Sequence, residues 1–172
     1  MFGFACSGCP IPCIPRTGLA MGKRVDVWQG DGVTGYPEVS LLGYVDGEVA
    51  PDTAAALERL VAQLLGSREW AGATPEFVDN IDSAAVRTCG MVLWLTDVRA
   101  SDEPETVSAE LDRHELADAK AVVDALAGFS AHTGLTVGIE YGGESVGWIE
   151  AGRPDKGIRE GLIGEWERQI AG

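Results

Sequence analysis

The chain has few positively charged residues and only two histidines. Its 172 residues include 13 lysines and arginines against 27 aspartates and glutamates, for a formal net charge of −14 at pH 7. A field of this sign repels nucleic acids and anionic membranes and attracts basic partners. The charge therefore argues against a nucleic-acid or membrane partner and favours a basic protein partner. An acidic surface that only keeps the protein in solution explains the same charge.

Long hydrophobic runs are also missing. No stretch approaches the roughly 18 consecutive apolar residues that a membrane-spanning helix needs. The N-terminus lacks the layout of a secretory signal, because no lysine or arginine precedes Arg16 and Pro10, Pro12 and Pro15 interrupt the segment. We therefore expect a cytoplasmic protein with reduced thiols.

Cysteine is scarce, yet three of the four cysteines lie together in the segment CSGCPIPC. Cys6, Cys9 and Cys13 have a spacing suited to three ligands of a zinc ion or an iron–sulfur cluster, with Cys89 as a fourth candidate. Structural zinc sites usually contain two spaced pairs, however, and neither histidine has the spacing of a partner ligand. Cys89 begins an apolar run, where a lone cysteine is typically a small core residue.

The N-terminal segment has a simpler interpretation. The sequence MGKRVDVW at Met21 reads like the start of a domain, which makes residues 1–20 a flexible extension rich in cysteine and proline. We therefore predict a single domain over residues 21–172 that binds neither a metal nor a cofactor. If a metal does bind, the spacing offers Cys6, Cys9 and Cys13 as its ligands.

Hydrophobic periodicity and turn signals divide the rest of the chain into a recurring order of strand, strand and helix. A chain of this length can bury a full core. The pattern predicts an α+β fold, namely a mainly antiparallel sheet of five to six strands with three helices packed against it. The expected hairpins lie near residues 25–45, 76–98 and 135–150, and the expected helices near residues 53–65, 108–132 and 156–170.

Two segments in the first half carry most of the expected core. The segment PDTAAALERLVAQLLG has the apolar stripe of a helix, with Asp52 expected to cap its start and Gly66 to end it in the left-handed conformation. The run MVLWL (Met91–Leu95) is expected to form a central strand covered on both faces. Alternation places Val92 and Trp94 on the face opposite its other side chains.

The C-terminal hairpin is predicted around Gly142-Gly143, a two-residue loop suited to a type I′ turn. Strict alternation from this turn places Trp148 in the core. The same register leaves a spot without side chains on the other face, where a helix, a loop or a partner chain is expected to pack. The expected pairs are Tyr141–Glu144, Ile139–Val146, Val137–Trp148 and Gly138–Gly147, with Glu140 and Ile149 beside the two glycines.

A closing helix is predicted after Asp155, which is expected to cap it, because apolar residues recur there every four positions. Gly157, Gly161 and Gly164 cost about 1 kcal/mol each relative to alanine inside a helix. We therefore expect either a loop in the first turn or the close approach of another backbone. A subunit of a larger assembly would use this glycine-lined side as its contact.

Recognisable catalytic motifs are absent from the sequence. GDGVTG lacks the lysine of a phosphate-binding loop, and neither a nucleophile elbow nor an HExxH zinc motif is present. His114 lies among carboxylates in the segment DRHE, a setting that suits a general base and also an ordinary exposed helix. Glu140, Glu144 and Glu150 suit acid–base chemistry or a divalent cation, and equally a solvated surface. No catalytic residue is predicted, and an enzyme that uses His114 or the hairpin carboxylates on a small molecule is the alternative.

The segment GIEYGGESVGWIEAGRPDKGIREGLIGEW, within Thr136–Trp166, resembles the small acidic α+β immunity proteins of bacterial toxin systems. Many of these proteins have a hairpin rich in glycine and tryptophan, followed by a closing amphipathic helix. The resemblance implies a bacterial, non-enzymatic inhibitor that blocks a cognate toxin, often a basic nuclease or deaminase. It assigns no binding residues.

The charge, the missing catalytic set and the resemblance together predict a cytoplasmic binding or inhibitor protein with a basic partner. Acidic side chains would steer a cationic surface into contact, and exposed aromatics near the hairpin would contribute most of the binding energy. The predicted partner-binding residues are Asp102, Glu103, Glu105, Glu140, Glu144 and Ile149.

Overall fold

An antiparallel sheet is the centre of the computed structural model, which describes residues 38–81, 85, 87–96 and 109–172. The first strand of the hairpin predicted at residues 25–45 and the extension predicted at residues 1–20 lie outside these residues. In chain order the strands are β1 (Glu38–Val45), β2 (Glu76–Ile81), β3 (Arg87–Thr96), β4 (Val137–Tyr141), β5 (Glu144–Glu150) and β6 (Arg153–Pro154). Across the sheet the strand order is β2-β3-β1-β4-β5-β6, with every neighbouring pair antiparallel.

The helices of the described residues pack on one face of this sheet. Near the C-terminus, a π-helical segment (Gly157–Ile163) runs directly into the closing α-helix, so the two form one continuous helix. This arrangement confirms the predicted α+β class, with one antiparallel sheet and three helices among the described residues. The helical elements are α1 (Pro51–Leu65), α2 (Ala109–Thr133), the π-helical segment Gly157–Ile163 and α3 (Gly164–Ala171).

The core lies between the helices and the sheet face that they cover. Alternate residues of β1 and β3 point into it, as the two-residue period of a strand requires, and Leu41 and Leu93 have no exposed surface. Leu57 of α1 and Leu126 of α2 pack against them in the same cluster. The expected burial of Cys89 in the core is confirmed, and this burial raises the pKa of its thiol above the ordinary value.

Both ends of α1 differ from the prediction. Asp52 does not cap the helix, because Ala50 occupies the N-cap position and a proline follows it. A proline has no N–H to leave unsatisfied in the first turn, so the helix starts without a side-chain cap. Gly66 is right-handed, with φ −84°, rather than left-handed. The last turn is instead closed by the hydroxyl of Ser67, which donates a hydrogen bond to a carbonyl oxygen of that turn at 2.7 Å.

Strand β3 is an inner strand, as predicted, but its two faces differ. Met91 and Leu93 belong to the core, while Val92 and Trp94 point to the opposite face, as alternation predicts. The prediction that both faces are covered holds for Val92, which is buried, and is wrong for Trp94, which is only half-buried.

The C-terminal hairpin has the predicted turn but not the predicted register. Gly142 and Gly143 have φ of +60° and +80°, and Tyr141 pairs with Glu144. An irregularity in the ladder between Ile139 and the residue after it then shifts the pairing by one residue. Because successive residues of a strand point to opposite faces, one extra residue exchanges the faces of every residue beyond the bulge.

This bulge reverses three predictions about the second half of β5. Trp148 leaves the core and lies opposite Gly138 on the second face of the sheet. Ile149 takes its place in the core, opposite Val137, with no exposed surface. The predicted pair of facing glycines is wrong as well, because Gly147 lies opposite a core isoleucine instead of Gly138.

Asp155 stabilises this shifted register and starts the closing helix. One carboxylate oxygen accepts a hydrogen bond from the N–H of Ile158 at 3.1 Å, which confirms the predicted cap. The other accepts from the N–H of Trp148 at 3.1 Å. A Cβ at Gly147 would lie 2.3 Å from the carboxylate, so the hairpin needs glycine at this position.

The close backbone approach predicted for the closing helix occurs at one of its three glycines. A Cβ at Gly157 would lie 2.1 Å from the carbonyl oxygen of Val146, whereas one at Gly161 would meet nothing within 4 Å. Gly164 ends the π-helical segment, and its N–H donates to the carbonyl of Arg159, five residues earlier. The first glycine therefore serves packing within the chain.

Candidate functional site

The second face of the sheet, which points away from the helices, carries several large apolar side chains. Leu42 and Tyr44 of β1 reach this face because their neighbours on the strand point into the core. Trp94 of β3 and Trp148 of β5 join them through the registers Ser40–Trp94 and Gly138–Trp148. All four side chains are half-buried, and none belongs to the core cluster.

Tyr44 and Trp148 pack together over a strand position that has no side chain. Their rings meet edge to face, with centroids 6.2 Å apart and planes inclined by 73°. A Cβ at Gly138 would lie 2.6 Å from the tyrosine ring and 2.9 Å from the tryptophan ring. Glycine at this position is therefore what lets both rings lie against the backbone of β4. We call Tyr44, Gly138, Glu140 and Trp148 the Tyr44 patch.

A carboxylate borders the two rings. The hydroxyl of Tyr44 donates a hydrogen bond to Glu140. Burial, together with the nearby negative charges of Glu140 and Asp46, raises the pKa of Tyr44 to about 12. Burial also raises the pKa of Glu140 above its ordinary value, Glu144 adds to this rise, and the bond from Tyr44 opposes it. The Tyr44 patch thus combines two aromatic rings with a partly desolvated carboxylate.

The predicted partner-binding residues fall into three groups. Glu140 lies in the Tyr44 patch, and Glu144 lies exposed at the adjacent turn. Ile149 is buried in the core because of the bulge, so its expected place on the surface is wrong. Asp102, Glu103 and Glu105 lie outside the described residues.

Of the three hairpin carboxylates, Glu150 lies opposite Arg153 in the pairing of β5 with β6. The ion pairs found among the described residues involve neither Glu140 nor Glu144. They are Arg68–Asp118, Arg87–Asp79, Lys120–Glu167, Lys156–Glu160 and Arg168–Glu165.

The side chains of the DRHE segment do not converge on one site. His114 is exposed on α2. Asp112 accepts a hydrogen bond from the indole N–H of Trp166 on α3. Glu115 is 3% exposed and accepts hydrogen bonds from the N–H and the hydroxyl of Thr96, at 3.1 and 2.7 Å. Burial raises the pKa of Glu115 above its ordinary value, and the bonds from Thr96 oppose this rise.

Another buried carboxylate of α2 binds the loop that follows α1. Asp118 accepts a hydrogen bond from the N–H of Ala71 at 2.8 Å and pairs with Arg68 at 2.7 Å. The guanidinium carbon of Arg68 also lies 5.2 Å from the centre of the Trp70 ring. This group attaches a loop to a helix, and in it one guanidinium lies near an aromatic ring and pairs with a carboxylate.

A shallow groove of about 540 Å³ runs between α1 and α2. Its lining includes the apolar side chains of Leu60 and Phe129 and the polar side chains of Arg59 and His132. The groove contains neither His114 nor a hairpin carboxylate, so it does not supply the pocket that the enzyme alternative expects around those groups.

No group of three or more histidine, cysteine, aspartate or glutamate side chains in the described part of the chain is placed to hold a metal ion. Cys6, Cys9 and Cys13 lie outside that part. No helix described in the structure has both the length and the apolar character that crossing a bilayer requires.

Sequence reasoning does not identify the partial exposure of the three aromatic residues described on the second face, Tyr44, Trp94 and Trp148. The alternation of EVSLLGYV contained the signal for Tyr44, since apolar Leu42 and Tyr44 occupy the strand positions that point away from the core. Alternation places Trp94 on the correct face, but the continuous apolar run predicts that this face is covered. Strict alternation places Trp148 in the core, because the bulge has no signature in the sequence.

In comparisons with known proteins, no family model, no curated protein and no solved structure matches this chain.

Proposed function

We propose that this chain is a non-enzymatic binding protein whose partner is a basic protein, contacted through the second face of the sheet. The observation that carries the proposal is the Tyr44 patch, where partly exposed aromatic rings border a carboxylate without an ion-pair partner among the described residues. Aromatic side chains are enriched among the residues that dominate binding energy at protein interfaces. The net charge of −14 of the whole chain favours a cationic partner.

The more specific form of the proposal is an immunity protein that neutralises a basic toxin domain in the cytoplasm of a bacterium. The resemblance of the segment Thr136–Trp166 to such proteins supports it. The hairpin of this segment contributes Glu140 and Trp148 to the Tyr44 patch. A neighbouring gene for a large secreted protein with a basic C-terminal toxin domain would identify the partner directly.

Affinity capture from the cells of origin, followed by reconstitution, tests the proposal. We expect cross-linking to recover a basic protein, and the purified pair to associate more weakly as salt is added, because exposed charges are screened within about 8 Å at physiological ionic strength. A bait that carries Trp94→Ser and Trp148→Ser keeps the net charge and should no longer bind the partner. Recovery of only acidic proteins or small metabolites, or binding that strengthens with salt, would contradict the proposal.

A further inference from the structure

We propose that the Tyr44 patch receives an arginine side chain of the basic partner. This inference rests on the proposed function and adds the chemistry of the contact. The rings of Tyr44 and Trp148 form a corner, because their planes are inclined by 73°. Glu140 lies beside this corner, hydrogen-bonded to the tyrosine hydroxyl. A guanidinium can stack on an aromatic face and pair with a carboxylate at the same time.

The negative charge of Glu140 favours a cationic group as the occupant of the patch. Glu140 has no ion pair among the described residues, and the exposed Glu144 lies close enough to affect its titration. An apolar or acidic partner would cover this carboxylate without compensating its charge, which is costly. A cationic group compensates the charge and also gains the attraction of the ring faces.

Arginine fits this setting better than lysine. Its guanidinium is planar and stacks on aromatic rings. It is also more weakly hydrated than an ammonium group, so less hydration free energy is lost when it is buried at the interface. The molecule already contains such an arrangement, since Arg68 lies 5.2 Å from the centre of the Trp70 ring while it pairs with Asp118 at 2.7 Å. The Tyr44 patch presents the same combination of aromatic ring and carboxylate at the protein surface, where the arginine of a partner can reach it.

Calorimetric titration of the full chain with hexa-arginine and with hexa-lysine tests the inference. We expect hexa-arginine to bind several-fold more tightly and Glu140→Gln to weaken it roughly tenfold, the factor that corresponds to about 1.4 kcal/mol. Glu58→Gln is the matched control, because it removes one exposed charge from α1 and should weaken both peptides only slightly. Trp148→Leu keeps an apolar side chain without the indole ring and should also reduce the preference for arginine.

The location of binding is read from the indole N–H resonance of Trp148 in NMR spectra. We expect hexa-arginine to shift this resonance, and thermal melts to show that the variants remain folded. Equal affinity for the two peptides, equal effects of Glu140→Gln and Glu58→Gln, or shifts of Trp148 caused by self-association alone would overturn the inference. If the inference fails while a basic partner is still captured, the proposed function stands with a different contact. If affinity capture recovers no basic partner, the proposed function fails regardless of how the two peptides bind.

Discussion

At the scale of single residues, Gly138 and Tyr44 determine what the second face of the sheet presents. The missing side chain of Gly138 makes room for two rings, and the Tyr44 hydroxyl brings Glu140 to their edge. The sequence indicated Glu140 as a binding residue, because it lies on a hairpin strand of an acidic protein. It did not indicate that Tyr44 contacts Glu140, since the two residues are far apart in the chain and meet only through the pairing of β1 with β4.

The titration of Tyr44 tests this arrangement. Its pKa is about 12 in the folded protein, against an ordinary value of 10.0, so folding favours the neutral hydroxyl. The stability that this preference contributes is therefore complete below pH 10.0 and is lost as the pH rises to about 12. We expect the ultraviolet absorbance of tyrosinate to show a step near pH 12 that disappears in Tyr44→Phe.

Two further variants separate the causes of this shift. Glu140→Gln removes a charge and should lower the pKa of Tyr44, without restoring the ordinary value, because burial is the larger cause. Glu58→Gln, on the opposite side of the core, should leave the step unchanged. A Tyr44 that titrates at its ordinary pKa would mean that its ring and hydroxyl are solvated, and that the Tyr44 patch does not form.

At the scale of elements, the C-terminal hairpin shows where sequence reasoning succeeds and where it stops. Gly142-Gly143 predicts the turn because both residues must adopt positive φ, a local requirement visible in two letters. The bulge depends on contacts that form only after folding. Asp155 binds the backbone of Trp148, and Gly147 is the residue that fits against its carboxylate. Strict alternation therefore predicted the first pair correctly and the faces of Trp148 and Ile149 wrongly.

Replacing Asp155 tests the role of this carboxylate. Asp155→Ala removes hydrogen bonds to two backbone N–H groups, so we expect a loss of about 2 kcal/mol in the free energy of unfolding measured in urea. Asp124→Ala, at an exposed position of α2, should change it by no more than about 0.5 kcal/mol. Hydrogen exchange should accelerate at the amides of Trp148 and Ile158 in particular. Equal stability of the two variants would show that Asp155 does not stabilise the register.

At the scale of the whole molecule, the sheet separates a helix-covered core from a second face with partly exposed aromatic rings. The α+β class and the inner position of β3 could be predicted, because hydrophobic periodicity reports which face of each element is buried. If polar residues occupied the second face, the alternation along each strand would predict that this face is solvated. The second face carries large apolar residues instead, and the sequence alone predicts that such residues lie in the core. Only the placement of the helices shows that they lie outside it.

The tryptophans distinguish the two sides of the sheet in a single experiment. Trp94 and Trp148 lie on the second face, whereas Trp70 and Trp166 pack against the core from the helical side. If the captured basic partner binds the second face, it should shift the indole N–H resonances of Trp94 and Trp148 in NMR spectra and leave those of Trp70 and Trp166 in place. Shifts confined to Trp70 and Trp166 would contradict binding at this face.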